Sequence, residues 1–189
     1  MTTSPDEFAA ALKKAHTYGL GEYLEIIGEL SQVSTRKGAL DRKSKELVTL
    51  GIALAKQCNR CIQIHTKISK DLGATKKEIS KVRKVALFMN ASPEGEKELW
   101  ESWKESWKEF ALSKNLVKTK RRELIALGIA LVRQSEKHIK FHVANALRMG
   151  TPAEEILEVM PIVLLMDGAP SVSQIPRLLK AVELDDKAA

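Results

Sequence analysis

The sequence predicts an all-α protein built from two similar helical units in tandem, and three observations predict it. Composition comes first. Ala, Leu, Ile, Lys and Glu dominate the 189 residues, aromatics make up 5%, and there are only 10 Gly and 6 Pro. That balance favours helix and argues against a β-sandwich or a disordered chain. The second observation is an internal repeat. A shift of 77 residues lays Lys43–Met89 on Lys120–Met166 without a gap, and 17 of 47 positions are identical. Glu46–Gln57 matches Glu123–Gln134 most densely, then His65 meets His142, Gly73 meets Gly150, and Glu78-Ile79 meets Glu155-Ile156. Third, no segment alternates apolar and polar residues with β-branched enrichment, so no strand is expected. The units fall at residues 1–90 and 91–189, together one compact domain, with lead-ins over roughly Ser4–Leu40 and Ser92–Val117.

Local signals place the helices in order. Ser4-Pro5-Asp6-Glu7 offers a capping hydroxyl, Pro at the first helical position and Glu three residues after the cap. The apolar helix from about Arg42 should end near Gln57. A new helix should open at Cys58 or Asn59, because Asn caps well and Ile62, Ile64 and Ile68 resume a helical pattern. Gly73 and Gly150 stand where a helix stops in the left-handed conformation. Thr75 with Glu78, and Thr151-Pro152 with Glu154, should start the next helices. Ser92-Pro93-Glu94 resembles the first start and opens the second lead-in. There Trp100, Trp103, Trp107 and Phe110 recur at helical spacing, which reads as an apolar stripe packing on the rest of the chain or as a subunit contact.

Charge and cysteine content exclude several classes. The formal charge is +7, but the basic residues are spread through helical segments and no aromatics interleave with them as in stacking platforms, so nucleic-acid binding is not expected. The Lys-rich segment Lys67–Lys84 reads as solvated surface or as a docking face for an acidic donor protein. Two cysteines cannot staple a chain of this length. The apolar runs Gly51–Ala55 and Ile162–Met166 are too short to span a bilayer. Met1–Phe8 lacks the basic and apolar regions of a secretory signal, so a cytoplasmic location is expected.

Both cysteines lie in one motif, Cys58-Asn59-Arg60-Cys61, followed by His65. A Cys-x-x-Cys pair reads as metal or redox chemistry. Zinc wants four ligands, and no second pair exists. The redox reading has a physical basis. Cys61 falls in the first turn of a helix, where unpaired N–H groups and the helix dipole favour a thiolate. Cys58 is near enough to form a disulfide across the turn. His65, four residues after Cys61 on the same face, can hold or relay the thiol proton.

The pattern Glu46-x11-Cys58-x2-Cys61-x3-His65, with Gly73-Ala74-Thr75 and Glu78-Ile79 after it, resembles the carboxymuconolactone decarboxylase and alkylhydroperoxidase D superfamily. The resemblance is strongest over residues 40–89 and returns in degraded form over 117–170. It implies an all-helical fold of two alkylhydroperoxidase D-like units, assembly as a homo-oligomer (trimer or hexamer), and thiol-dependent peroxidase or disulfide-reductase activity. Carried over, Cys61 attacks, Cys58 is its disulfide partner, and Glu46 with His65 forms the proton relay. An external dithiol donor must then reset the pair, since the chain has no third cysteine. It has no nucleotide fingerprint either, so no cofactor is implied.

Two features depart from the family pattern. Arg60 stands where many members place His or Tyr; it can stabilise a thiolate by charge but cannot relay a proton. The second unit keeps Glu123 and His142 but has Ser135 and His138 in place of the cysteines. It reads as a structural copy in which Ser135 caps a helix. The alternative is a metal set of Glu123, His138 and His142. Two other readings of the whole chain are thiol-free acid–base catalysis, as in the decarboxylase branch, and a non-catalytic scaffold using the Trp stripe or the basic face.

Overall fold

The computed structural model describes residues 4–93, 97–112 and 119–186. Among them are helices and no strands: α1 (Pro5–Thr17), α2 (Gly21–Thr35), α3 (Arg42–Ala55), α4 (Asn59–Asp71), α5 (Lys76–Asn90), α6 (Lys97–Leu112), α7 (Thr119–Val132), α8 (Glu136–Arg148), α9 (Ala153–Leu157), α10 (Val159–Asp167), α11 (Ala169–Val172) and α12 (Ile175–Asp186). The fold is all-α and the repeat is a repeat of structure. Shifting α3 and α4 by 77 residues gives the bounds of α7 and α8, and shifting α5 gives the span of α9 plus α10. The backbone specials follow suit. Gln57 and Gln134 both have φ 55°, and Gly73 and Gly150 have φ 81° and 70°. The two glutamines close their apolar helices in a conformation that most side chains avoid.

The expected caps hold where local chemistry decides them. Ser4 with Glu7, and Thr75 with Glu78, form reciprocal capping boxes. Two expectations are corrected. Ser135 sits at the N-cap of α8 but its side chain makes no capping bond. Pro152, not Thr151, precedes α9, and the Thr151 hydroxyl is buried without a partner. The Ser92 hydroxyl bonds to His138, and the helix start expected from Ser92-Pro93-Glu94 runs into residues 94–96, outside the described ones. Glu94 and Val117, assigned by sequence to the second lead-in, lie outside the described residues.

Helices α3 and α7 form the centre of one shared hydrophobic core. Glycine permits their close approach: a Cβ on Gly51 would lie 2.5 Å from Ile125 Cγ2, and one on the equivalent Gly128 would lie 3.0 Å from Val48 Cγ1. Around this pair the elements exchange. Helix α5 packs on both α3 and α7, and α10 does the same. Polar ties cross the same boundary. Arg121 on α7 donates to Ser44 at 2.7 Å and pairs with Glu78 at 3.3 Å. Buried Lys45 pairs with Glu158 at 3.1 Å and donates to the Arg36 carbonyl at 2.7 Å. No helix among the described residues is long and apolar enough to cross a membrane.

Candidate active site

Helix α4 builds the site from its first turn. Cys58 is the N-cap, and its Sγ accepts the Cys61 N–H at 3.3 Å. Cys61 thus sits where the helix has spare donors, and Cys58 and Cys61 form a disulfide with their Cα atoms 5.3 Å apart. Both are half-buried. Helix α3 supplies the carboxylate. Glu46 Oε2 lies 2.8 Å from His65 Nδ1, and Glu46 is almost fully buried. A carboxylate only accepts, so Nδ1 carries the shared proton and Nε2 remains as the basic nitrogen. Of the four residues singled out from sequence, the structure joins Cys58 to Cys61 and Glu46 to His65. Helix geometry sets Cys61 and His65 one turn apart on a common face.

Arg60 does something the sequence did not suggest. Its guanidinium lies 4.7 Å from the centre of the Phe8 ring on α1. The contact ties the first lead-in to the Cys58–Cys61 motif. Phe8 carried no signal, because aromatic stacking on a distant cation leaves no local pattern.

The second unit keeps the dyad and seals it. His142 Nδ1 meets Glu123 Oε2 at 2.7 Å, at the same 19-residue separation as the first dyad. Both side chains are fully buried, whereas the His65 side chain is 13% exposed. Glu123 also accepts from Arg122, from the Trp107 indole at 3.2 Å and from Asn145 at 3.5 Å. Burial by itself raises the Glu123 carboxyl pKa. The His142 hydrogen bond and the charges of His142 and Arg122 outweigh it and hold it below the usual range. His138, which replaces Cys61, lies edge-on to Trp100 and Trp103 at 4.7 and 4.6 Å. Burial first, then the charges of His142, Arg133 and Lys137, pushes its pKa down to about 3. Among the described residues no three His, Cys, Asp or Glu side chains converge as a metal-ligand set.

Sequence reasoning missed Ser92, Trp107, Arg122 and Asn145 as parts of this sealed copy. One signal for Arg122 was available: it aligns with Lys45, so both units place a basic residue just before the glutamate, and both are buried.

The model of the Carboxymuconolactone decarboxylase family matches the chain twice, over residues 21–105 and 98–181. The chain is also 39% identical over 62 residues to "Uncharacterized protein 4 in cox locus" of Paracoccus denitrificans. That stretch covers 33% of this chain and 56% of the relative, so the chain spans about half the length of the relative it matches.

Proposed function

We propose that this chain, which belongs to the carboxymuconolactone decarboxylase family, is a thiol oxidoreductase that reduces a hydroperoxide or a disulfide with the Cys58/Cys61 pair. One observation carries the reading: a half-buried dithiol pair at the start of α4 shares that helix with a histidine oriented by a buried glutamate.

The cycle balances in three steps. In the reduced protein His65 Nε2 takes the Cys61 thiol proton, and Glu46 steadies the resulting imidazolium through Nδ1–H. The Cys61 thiolate attacks the terminal peroxide oxygen. An S–O bond forms, the O–O bond breaks, and the departing alkoxide takes a proton from His65 to leave as alcohol. The Cys58 thiol then attacks the sulfenic sulfur, closing the disulfide and releasing water. Two thiols have lost two electrons and the peroxide has gained them. With a disulfide substrate, Cys61 forms a mixed disulfide that Cys58 resolves. An external dithiol returns the pair to the reduced state by exchange, in a reducing compartment such as the cytoplasm. The sealed second dyad takes no part.

A second reading is favoured by the family's name. A decarboxylase needs a positive pocket and a proton-moving residue, and Glu46 with His65 supplies the latter without sulfur. Consumption of an organic hydroperoxide by the protein with dithiothreitol as donor separates the two. Turnover that disappears in Cys61→Ser supports the oxidoreductase. No peroxide loss in the wild type, together with lactone decarboxylation that survives the substitution, supports the alternative.

A further inference from the structure

In the second unit the chain covers its own site. Trp100 of α6 lies edge-on to His138 at 4.7 Å and to Phe141 at 5.7 Å, and the Lys137 ammonium stands 4.9 Å from the centre of its ring. Lys137 Nζ also donates to the Pro93 carbonyl at 2.7 Å. One aromatic body and one acceptor oxygen, both from the second lead-in, thus meet a cation, a histidine and a phenylalanine of α8.

At the 77-residue shift Lys137, His138 and Phe141 are Arg60, Cys61 and Ile64 of α4. Here the same face is open. The counterparts of Trp100, Trp103, Trp107 and Phe110 are Tyr23, Ile26, Leu30 and Val33 of α2. Of these, Tyr23, Ile26 and Val33 are more than half exposed, and so is part of Ile64, at 38%. Arg60 lies over the Phe8 ring, as Lys137 lies over Trp100, but it has no acceptor. It makes no hydrogen bond or ion pair among the described residues, and its Nε is buried without a partner. Helix α4 has no carboxylate before Asp71, which pairs with Lys67, and Glu7, next to Phe8, is held in its capping box with Ser4. Around the helix Ile64 falls between Arg60 and Cys61, which are about 100° apart. An unpaired cation, an apolar patch and the attacking sulfur therefore lie side by side.

We propose that this face binds a carboxylate carried on a ring-sized apolar body. The carboxylate sits on the Arg60 guanidinium, and the body lies on Ile64, where Trp100 lies on Phe141 in the second unit. The hydroperoxide or disulfide reduced at Cys61 then belongs to that class. The planar fork of N–H groups on arginine matches the two oxygens of a carboxylate. The substrate half of the proposal rests on the thiol reading; the binding half does not.

The experiment has two arms. In the first, the oxidised protein, which cannot turn over, is titrated with 4-isopropylbenzoate and with the neutral 4-isopropylbenzamide by calorimetry. The acid binds, the amide binds at least roughly tenfold more weakly, and Arg60→Gln loses that difference while Arg60→Lys keeps part of it. In the second, the reduced protein with dithiothreitol is given cumene hydroperoxide and its 4-carboxylate. The ratio of the two kcat/KM values favours the carboxylate by roughly tenfold and falls toward one in Arg60→Gln. The ratio is taken within each protein, so a change in thiol reactivity cancels. Circular dichroism checks that each variant is folded. Arg60-dependent binding of the acid without turnover of either peroxide supports the site and overturns the oxidoreductase reading instead. Equal binding of acid and amide, or a preference for the acid that survives Arg60→Gln, overturns the proposal.

Discussion

The sealed second unit makes stability depend on pH in a way that can be traced to one residue. His138 is buried against Trp100 and Trp103, and its folded-state pKa is about 3, against 6.5 for an ordinary histidine. On acidification the unfolded chain protonates this imidazole near pH 6.5 and the folded chain does not. The neutral ring therefore contributes stability that is present above pH 6.5 and is lost as pH falls toward 3. Each pH unit inside that window costs up to about 1.4 kcal/mol, so integration from about pH 7 to pH 5 gives a loss of about 2 kcal/mol. Carboxylates contribute little there, because their unfolded-state pKa values lie near about 4. The assay is urea unfolding followed by tryptophan fluorescence at several pH values in that window, for the wild type and for His138→Gln. The variant is less stable throughout, since it disturbs the packing. What matters is the slope: the wild type loses about 2 kcal/mol more than the variant between the two pH values. Parallel losses would refute the reasoning and mean that His138 protonates in place.

Four further outcomes follow from the packing and the dyad. Trp107→Ala removes a buried ring, its hydrogen bond to Glu123 and its contact with Arg122, and should cost about 3–5 kcal/mol in a denaturant titration. Gly51→Ala drives a methyl group against Ile125 and should destabilise by about 1–3 kcal/mol. Gly28→Ala on α2 meets nothing within 4 Å and should stabilise by about 0.5–1 kcal/mol, so thermal melts of the two should move in opposite directions. His65→Gln should slow peroxide turnover at neutral pH by roughly 10²-fold while the Cys58–Cys61 disulfide still forms under a strong oxidant; stopped-flow turnover and thiol titration read the two effects.

The helix limits were legible where short-range chemistry decides them. Pro5, Gly73 and the Thr75–Glu78 box each act within a few residues, and the structure follows them. The repeat was legible because identities persist at an ungapped shift, and it extends to Gln57 and Gln134, whose left-handed backbone no glycine announced. Glu46 is twelve residues before Cys58, about 18 Å along a straight helix, so the resemblance and not the spacing carried it into the site. The structure sets it 2.8 Å from His65. What failed was the assignment of hydroxyls. Ser135 looks like a cap yet makes no capping bond, and nothing local showed that the Ser92 hydroxyl meets a histidine 46 residues away. The aromatic spacing of α6 marked a buried face, yet nothing local showed that the Trp107 N–H ends on Glu123. Nor could pattern show that the matching stripe on α2 stays open, since burial is decided by the neighbour and not by the helix.

The most direct test of the dithiol reading is mass spectrometry of the reduced protein after one equivalent of an organic hydroperoxide, beside Cys61→Ser. The account predicts that the wild type loses two hydrogens, mapped by digestion to a Cys58–Cys61 bridge, with one equivalent of alcohol formed, while the variant leaves the peroxide unconsumed. Two free thiols and intact peroxide in the wild type would contradict it.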